Sequence, residues 1–125
     1  MTLHELTDAP SVETFKSTNA NTLICFSATW CGPCKQSKPQ LIELAASYEQ
    51  DPTIDVAVGI VYEHTLGDAV SSEYSVRAFP TYVLFGGSNG SEERGRVTGI
   101  DFDAIRKMVE DAGCKKVLGE GNTLG

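Results

Sequence analysis

Residues 22–35 read TLICFSATWCGPCK. Thr22 to Ala28 is a nearly unbroken apolar and β-branched run, the composition of a strand buried on both faces. Cys31 and Cys34 follow, separated by Gly32 and Pro33. Pro33 suits the first turn of a helix, where its missing N–H costs nothing. Beyond it Leu41, Ile42, Leu44, Ala45 and Tyr48 recur at helical spacing, which predicts a helix over about Cys34 to Gln50. Pro39 falls inside that helix and removes one backbone donor, so a kink is expected there.

A pair of cysteines two residues apart at a strand-to-helix junction can close a small disulfide loop. Free N–H groups and the macrodipole at a helix start favour a thiolate on the first cysteine. A stabilised thiolate attacks disulfides and also leaves readily. Cys34 lies further into the helix and is expected to be the more buried of the two. Cys31 is therefore assigned as attacking thiol and Cys34 as resolving thiol, with Trp30, Gly32, Pro33 and Lys35 in support. Zinc would need four ligands, and only Cys25, Cys114, His4 and His64 remain, with no second ligand pair among them. No metal site is expected. A purely structural disulfide is disfavoured in a reducing compartment.

Outward from this junction the chain alternates strand and helix. Leu3 to Leu6 reads as a short strand. Asp8 or Ser11 can cap a helix to about Thr18, with Pro10 near its start. Ile54 to Val61 reads as a further buried strand and Gly67 to Tyr74 as a short helix. Thr81 to Phe85 and Glu92 to Thr98 form a hairpin pair, with Gly86, Gly87, Asn89 and Gly90 as turn residues. Asp101 caps a last helix lined by Phe102, Ile105, Met108, Val109 and Ala112, and Gly113 stops it. The order β-α-β-α-β-α-β-β-α implies an α/β fold: a central mixed β-sheet flanked by helices on both faces. Residues 1–114 are assigned to one domain and 115–125, which carry little core pattern, to a flexible C-terminal tail.

With 125 residues the chain has the length of one ordinary domain. Its hydrophobic share of 41% and charged share of 22% are globular values. Ten Lys and Arg against 17 Asp and Glu give a formal net charge of −7. That balance, with no basic block, argues against nucleic acid and anionic membranes as partners. The start, MTLHELTDAP, has neither a cationic nor an apolar leader region, so a cytoplasmic location is expected. Gly86 to Gly90 is Gly-rich but lacks the Gly-Lys-Ser/Thr ending of a phosphate loop. Asn89-Gly90-Ser91 is a glycosylation sequon that should stay unmodified without secretion.

The segment FSATWCGPCK, Phe26 to Lys35, resembles the active-site segment of thioredoxins, and the resemblance extends over about residues 1–112. Pro39 falls where that family has its helix-kinking proline. Val76-Arg77-Ala78-Phe79-Pro80-Thr81 resembles the segment ending in the family's cis-proline, and Gly99 matches the glycine after the fifth strand. The resemblance implies a thioredoxin fold and a protein-disulfide reductase cycling between a dithiol and a Cys31–Cys34 disulfide. It implies disulfide-containing protein substrates, a thioredoxin reductase with flavin and NADPH as electron source, no cofactor bound to the chain itself, and a monomer. Trp30, Ala78, Phe79, Pro80, Gly99 and Ile100 match the apolar rim on which substrate segments dock. A cis Phe79–Pro80 bond would offer the Phe79 backbone to an extended substrate.

Two positions depart from the family's pattern. Cys25 stands where the family usually has a buried Asp, which takes the proton from the resolving cysteine. The lysine that often accompanies it is not evident, and Gly59 or a neighbour occupies its approximate place on the third strand. The hairpin around Gly86 to Arg94 is also longer than usual. A partner-docking module with little turnover is the alternative function, and a secretory oxidase or isomerase is disfavoured by Gly32-Pro33. Cys25 is expected to be a small buried hydrophobe. Cys114 is expected to be incidental, or modifiable if exposed. His64 is expected in a solvated loop.

Overall fold

The computed structural model describes residues 3–115. Five strands form one mixed sheet in the order β1-β3-β2-β4-β5: β1 (Leu3–Glu5), β2 (Asn21–Ser27), β3 (Ala57–Tyr62), β4 (Thr81–Gly86) and β5 (Glu92–Thr98). The first three run parallel, while β4 is antiparallel to β2 and β5 antiparallel to β4. The expected fold class is therefore present, with β2 at the sheet centre. Residues 22–27 are all buried, as a continuous apolar run predicts.

Side-chain alternation along β2 divides the core into two layers. Leu23 and Cys25 face Leu41 and Leu44 of α2 (Gly32–Gln50) and Ile105 of α5 (Phe102–Asp111). Ile24 and Phe26 face Val12 and Phe15 of α1 (Ala9–Thr18) on the other side. Local sequence sets each helix start. Asp8 is the cap of α1: its carboxylate accepts from the Ser11 N–H at 2.8 Å, and Ser11 Oγ accepts from the Asp8 N–H at 3.1 Å. Ser11 is thus the return half of a capping box. Asp101 caps α5 by accepting from the Ala104 N–H at 3.0 Å.

Five expectations need correction. The helix read over Gly67 to Tyr74 is only α4 (Ala69–Ser72), and a further short helix, α3 (Glu63–Leu66), precedes it across Gly67 with φ of 60°. His64 therefore lies on a helix, its ring stacked on Tyr62 at 6.0 Å, and not in a loop. Cys114 is not an exposed tail residue. It is 3% exposed within the α2/α5 layer, and its carbonyl accepts from the Asp55 N–H at 2.9 Å. Lys115, assigned to the tail, pairs with Ile54 in an isolated antiparallel bridge. Residues 116–125 of the tail assignment lie outside the described residues. The strand read from Ile54 begins at Ala57, with Ile54 in that isolated bridge.

Candidate functional site

β2 ends at Ser27, and the chain turns through Ala28 to Trp30 into α2. Cys31 is the N-cap of that helix. Its Sγ accepts from the Cys34 N–H at 3.2 Å, and its carbonyl accepts from the Lys35 N–H at 3.2 Å. One of the helix's unpaired amide donors is therefore aimed at the Cys31 sulfur, which is the arrangement that favours a thiolate. Gly32 and Pro33 are the first two helical residues, and both are exposed. Cys31 and Cys34 are joined as a disulfide, with Cα atoms 5.3 Å apart.

The expected difference in burial between the two cysteines is absent: Cys31 is 4% and Cys34 5% exposed. Both pack with Ala28 and Phe79. Their surroundings differ instead. Cys31 Sγ lies 3.5 Å from the Phe79 carbonyl oxygen, on the loop before β4. Cys34 opens onto a cavity on the other side of α2, shared with Lys38 and Tyr62.

The loop before β4 carries the other expected residues. The Phe79–Pro80 peptide bond is cis. Trp30 is 67% exposed, stacks edge-on against Phe79 at 5.7 Å and donates from Nε1 to Glu63 Oε1 at 3.0 Å. Ala78 is exposed, Phe79 half-buried and Pro80 buried beneath them. Gly99, with φ of 94°, donates its N–H to the Pro80 carbonyl at 2.8 Å, which brings Ile100, 41% exposed, beside the loop. Phe79 thus meets both the Cys31 sulfur and Trp30, and Gly99 joins the same loop through Pro80. Lys35 points to solvent.

Beneath the site Cys25 is paired in register with Ile60 on β3 and Tyr82 on β4. Burial pushes its thiol up to about 12, against a smaller opposing contribution from Tyr82. Cys25 is therefore neutral at physiological pH. Tyr82, fully buried, donates to Ser37 Oγ at 3.1 Å, and Ser37 donates to the Cys34 carbonyl at 3.2 Å. Gly59 is not the neighbour of Cys25. It faces the α1 layer, where a Cβ would come within 2.8 Å of Phe15. The cation near Cys25 and Cys34 is Lys38, from α2, whose ammonium donates to Tyr62 Oη at 3.0 Å and Glu5 Oε2 at 3.3 Å. Reading the sequence missed Lys38, Tyr62 and Glu63. Only the spacing of Lys38 four residues after Cys34, which sets both on one helix face, pointed to it.

Among the described residues no group of three or more His, Cys, Asp or Glu is gathered to hold a metal. No described helix is long and apolar enough to cross a membrane. The Thioredoxin family model matches residues 3–111. The chain belongs to the thioredoxin family. It is 36% identical over 94 residues to thioredoxin H2-1 of rice, covering 75% of this chain and 62% of that protein. It is 32% identical over 101 residues to the protein disulfide-isomerase erp38 of Neurospora crassa, covering 81% of this chain and 27% of that protein. The chain therefore spans less than two thirds of the length of either relative. The crystal structure of reduced Schistosoma mansoni thioredoxin superposes with a TM-score of 0.74 at 28% identity, covering 89% of this chain and 98% of the other.

Proposed function

We propose that this chain is a thiol–disulfide oxidoreductase that reduces disulfides in partner proteins. The observation that carries the reading is the Cys31 sulfur at the start of α2. It accepts the Cys34 amide and lies against the Phe79 carbonyl within an exposed apolar rim. The Cys31 thiolate attacks a substrate disulfide, which breaks as one substrate thiolate leaves, and a mixed disulfide forms. Cys34 loses its proton and attacks the Cys31 sulfur. The second substrate thiolate leaves, and the Cys31–Cys34 disulfide remains. Two electrons have passed from the protein to the substrate, whose thiolates take up protons from water. A thioredoxin reductase, with flavin and NADPH, returns the two electrons. The chain itself binds no cofactor.

Trp30, Ala78, Phe79, Gly99 and Ile100 form the docking rim, with Pro80 supporting it from below. The large exposed apolar side chains among the described residues are Trp30, Ile42 and Ile100, and two of these three belong to the rim. That distribution supports a monomer that binds partners through this face. The buried free thiols of Cys25 and Cys114 support a reducing, cytoplasmic setting.

One observation favours a second reading, a docking module with little turnover: the buried position under the site holds a neutral thiol where the family has an acid. The two readings separate in a trapping experiment. Cys34→Ser should attack a disulfide substrate and accumulate as a mixed disulfide, while Cys31→Ser should neither reduce nor trap. Mass spectrometry of the covalent species checks this, and equal trapping by both variants would reverse the roles. Insulin reduction driven by NADPH and thioredoxin reductase should proceed with the unmodified chain. Binding without turnover would establish the docking module.

A further inference from the structure

The resolving step needs a Cys34 thiolate, and this chain has no carboxylate beneath it to receive the proton. Cys25 is neutral and enclosed. On the other side of α2, Cys34 opens onto a cavity of about 270 Å³ with Ala28, Thr29, Lys35, Lys38 and Tyr62 on its walls. A water occupies about 30 Å³ of liquid, so this space admits several. Lys38 follows Cys34 by one helical turn, on the same face. Its ammonium is not free to swing away, because it donates to Tyr62 Oη at 3.0 Å and lies 5.7 Å from the centre of the same ring. An oxygen that accepts from an ammonium keeps its own proton for donation. The hydrogen bond to Tyr62 also holds Lys38 above the usual lysine range, so the positive charge persists across physiological pH.

The groups facing Cys34 come from several elements. Lys35 and Lys38 of α2 and Tyr62 of β3 line the cavity with it, and Ser37, which accepts from Tyr82 of β4, donates to its backbone carbonyl. Glu5 of β1 reaches the cavity only through Lys38, and its side chain is 58% exposed. No carboxylate lines the cavity. The charged groups on the cavity wall are therefore both cations; Glu5 is largely exposed and screened by solvent, and Glu63, next to Tyr62, is held outside the cavity lining by Trp30 Nε1 at 3.0 Å.

We propose that Lys38, held in place by Tyr62, is a positioning residue for the resolving step: its ammonium favours the Cys34 thiolate, and the Cys34 proton leaves through the water of this cavity. The thiolate then attacks the Cys31 sulfur, the Cys31–substrate bond breaks, and the departing substrate thiolate takes a proton from water. The mixed disulfide is itself the oxidant, so no further reactant enters. This inference rests on the assignment of Cys34 as resolving thiol.

The test uses the full chain and a bis(nitrobenzoate) disulfide as a chromogenic substrate. Attack by Cys31 releases one coloured thiolate, and resolution by Cys34 releases the second. Stopped-flow absorbance across pH follows both. In Lys38→Met the second release should slow about tenfold at pH 7, with its pH midpoint raised by about one unit, the low end for an opposite charge near a thiol. The first release should keep its rate. Lys38→Arg should restore the wild-type profile. Tyr62→Phe should give a smaller shift in the same direction. An unchanged second release in Lys38→Met and Tyr62→Phe overturns the inference. Cys34→Ser separates the two levels of failure. If that variant still released the second thiolate at the wild-type rate, the resolving assignment itself would be wrong, whatever Lys38 does.

Discussion

Cys25 sits at the centre of the sheet beneath the cysteine pair. Its neighbours in register are Ile60 and Tyr82, and burial drives its thiol to about 12. A neutral thiol there costs little to bury, whereas a carboxylate would lose its hydration with only the Lys38 ammonium, already bonded to Tyr62 and Glu5, as a nearby cation. Cys25→Asp should therefore destabilise the reduced protein by about 2–4 kcal/mol at neutral pH. The sign of the pH dependence follows from burial. The new carboxyl would have a folded pKa above its unfolded value, so its penalty should shrink as pH falls through the folded pKa. Thermal unfolding from pH 8 to pH 5 checks this. The same variant should speed resolution, because it supplies an acceptor for the Cys34 proton. Cys25→Ala should leave the rate of resolution at the wild-type value. A large loss in Cys25→Ala would show that the thiol itself exchanges with Cys34.

At the scale of elements, the docking loop is held from β5. Arg96 donates to the Tyr74 carbonyl at 2.8 Å and the Ser75 carbonyl at 3.1 Å, and Glu93 fixes the guanidinium through two bonds of 2.6 and 2.8 Å. Ser75, with φ of 57°, stands at the start of the loop that carries Ala78 and Phe79. Arg96→Met removes two bonds that restrain a left-handed residue and should cost about 1–2 kcal/mol, discounted for partial exposure. It should raise KM for protein substrates and leave turnover of a small disulfide intact. The hydrogen bond from Arg96 depresses the Glu93 carboxyl. Its contribution is thus present above the unfolded carboxyl pKa and is lost as pH falls through the lower folded value. The Tm gap between wild type and Arg96→Met should therefore narrow on acidification from pH 6 to pH 3. None of this was legible in the sequence, because Arg96 finds its acceptors 21 and 22 residues away. What was legible is local. An unbroken apolar run marked β2, carboxylate caps marked α1 and α5, and the cysteine spacing with Gly32-Pro33 marked the start of α2. The break between α3 and α4 escaped because four-residue helices are too short to show a period, and one positive φ at Gly67 decides it. The cavity beside Cys34 escaped for a related reason: its cation is on α2 and the hydroxyl that holds it on β3, 24 residues later.

For the whole molecule, the question is where the cooperative unit closes. The last helix ends with Ala112 as its cap, and Gly113, with φ of 68°, turns the chain back toward the sheet. Cys114 then fills the α2/α5 layer, its carbonyl accepts from the Asp55 amide, and Lys115 bridges to Ile54. These contacts tie Cys114 and Lys115 to the segment between α2 and β3, so they cross the sequence by about half its length. They also keep Cys114 from acting as a surface thiol. We propose that Cys114 and Lys115 belong to the folded domain. Two truncated chains test this, one ending at Lys115 and one at Gly113. They differ by Cys114 and Lys115, and so by a buried thiol and the bond from the Asp55 N–H to the Cys114 carbonyl beside the Ile54–Lys115 pairing. Burying a small apolar side chain and making one hydrogen bond each contribute about 1 kcal/mol. The chain ending at Gly113 should thus be less stable by about 2 kcal/mol, a fall in Tm of roughly 5–10 °C in a domain of this size. The active-site loop lies outside these contacts, so reduction of the bis(nitrobenzoate) disulfide at 25 °C should be equal in both. Equal Tm values would show that Cys114 and Lys115 add nothing to the fold. A rate lost together with stability would show that the α5 end and the cysteine pair belong to one tightly coupled unit.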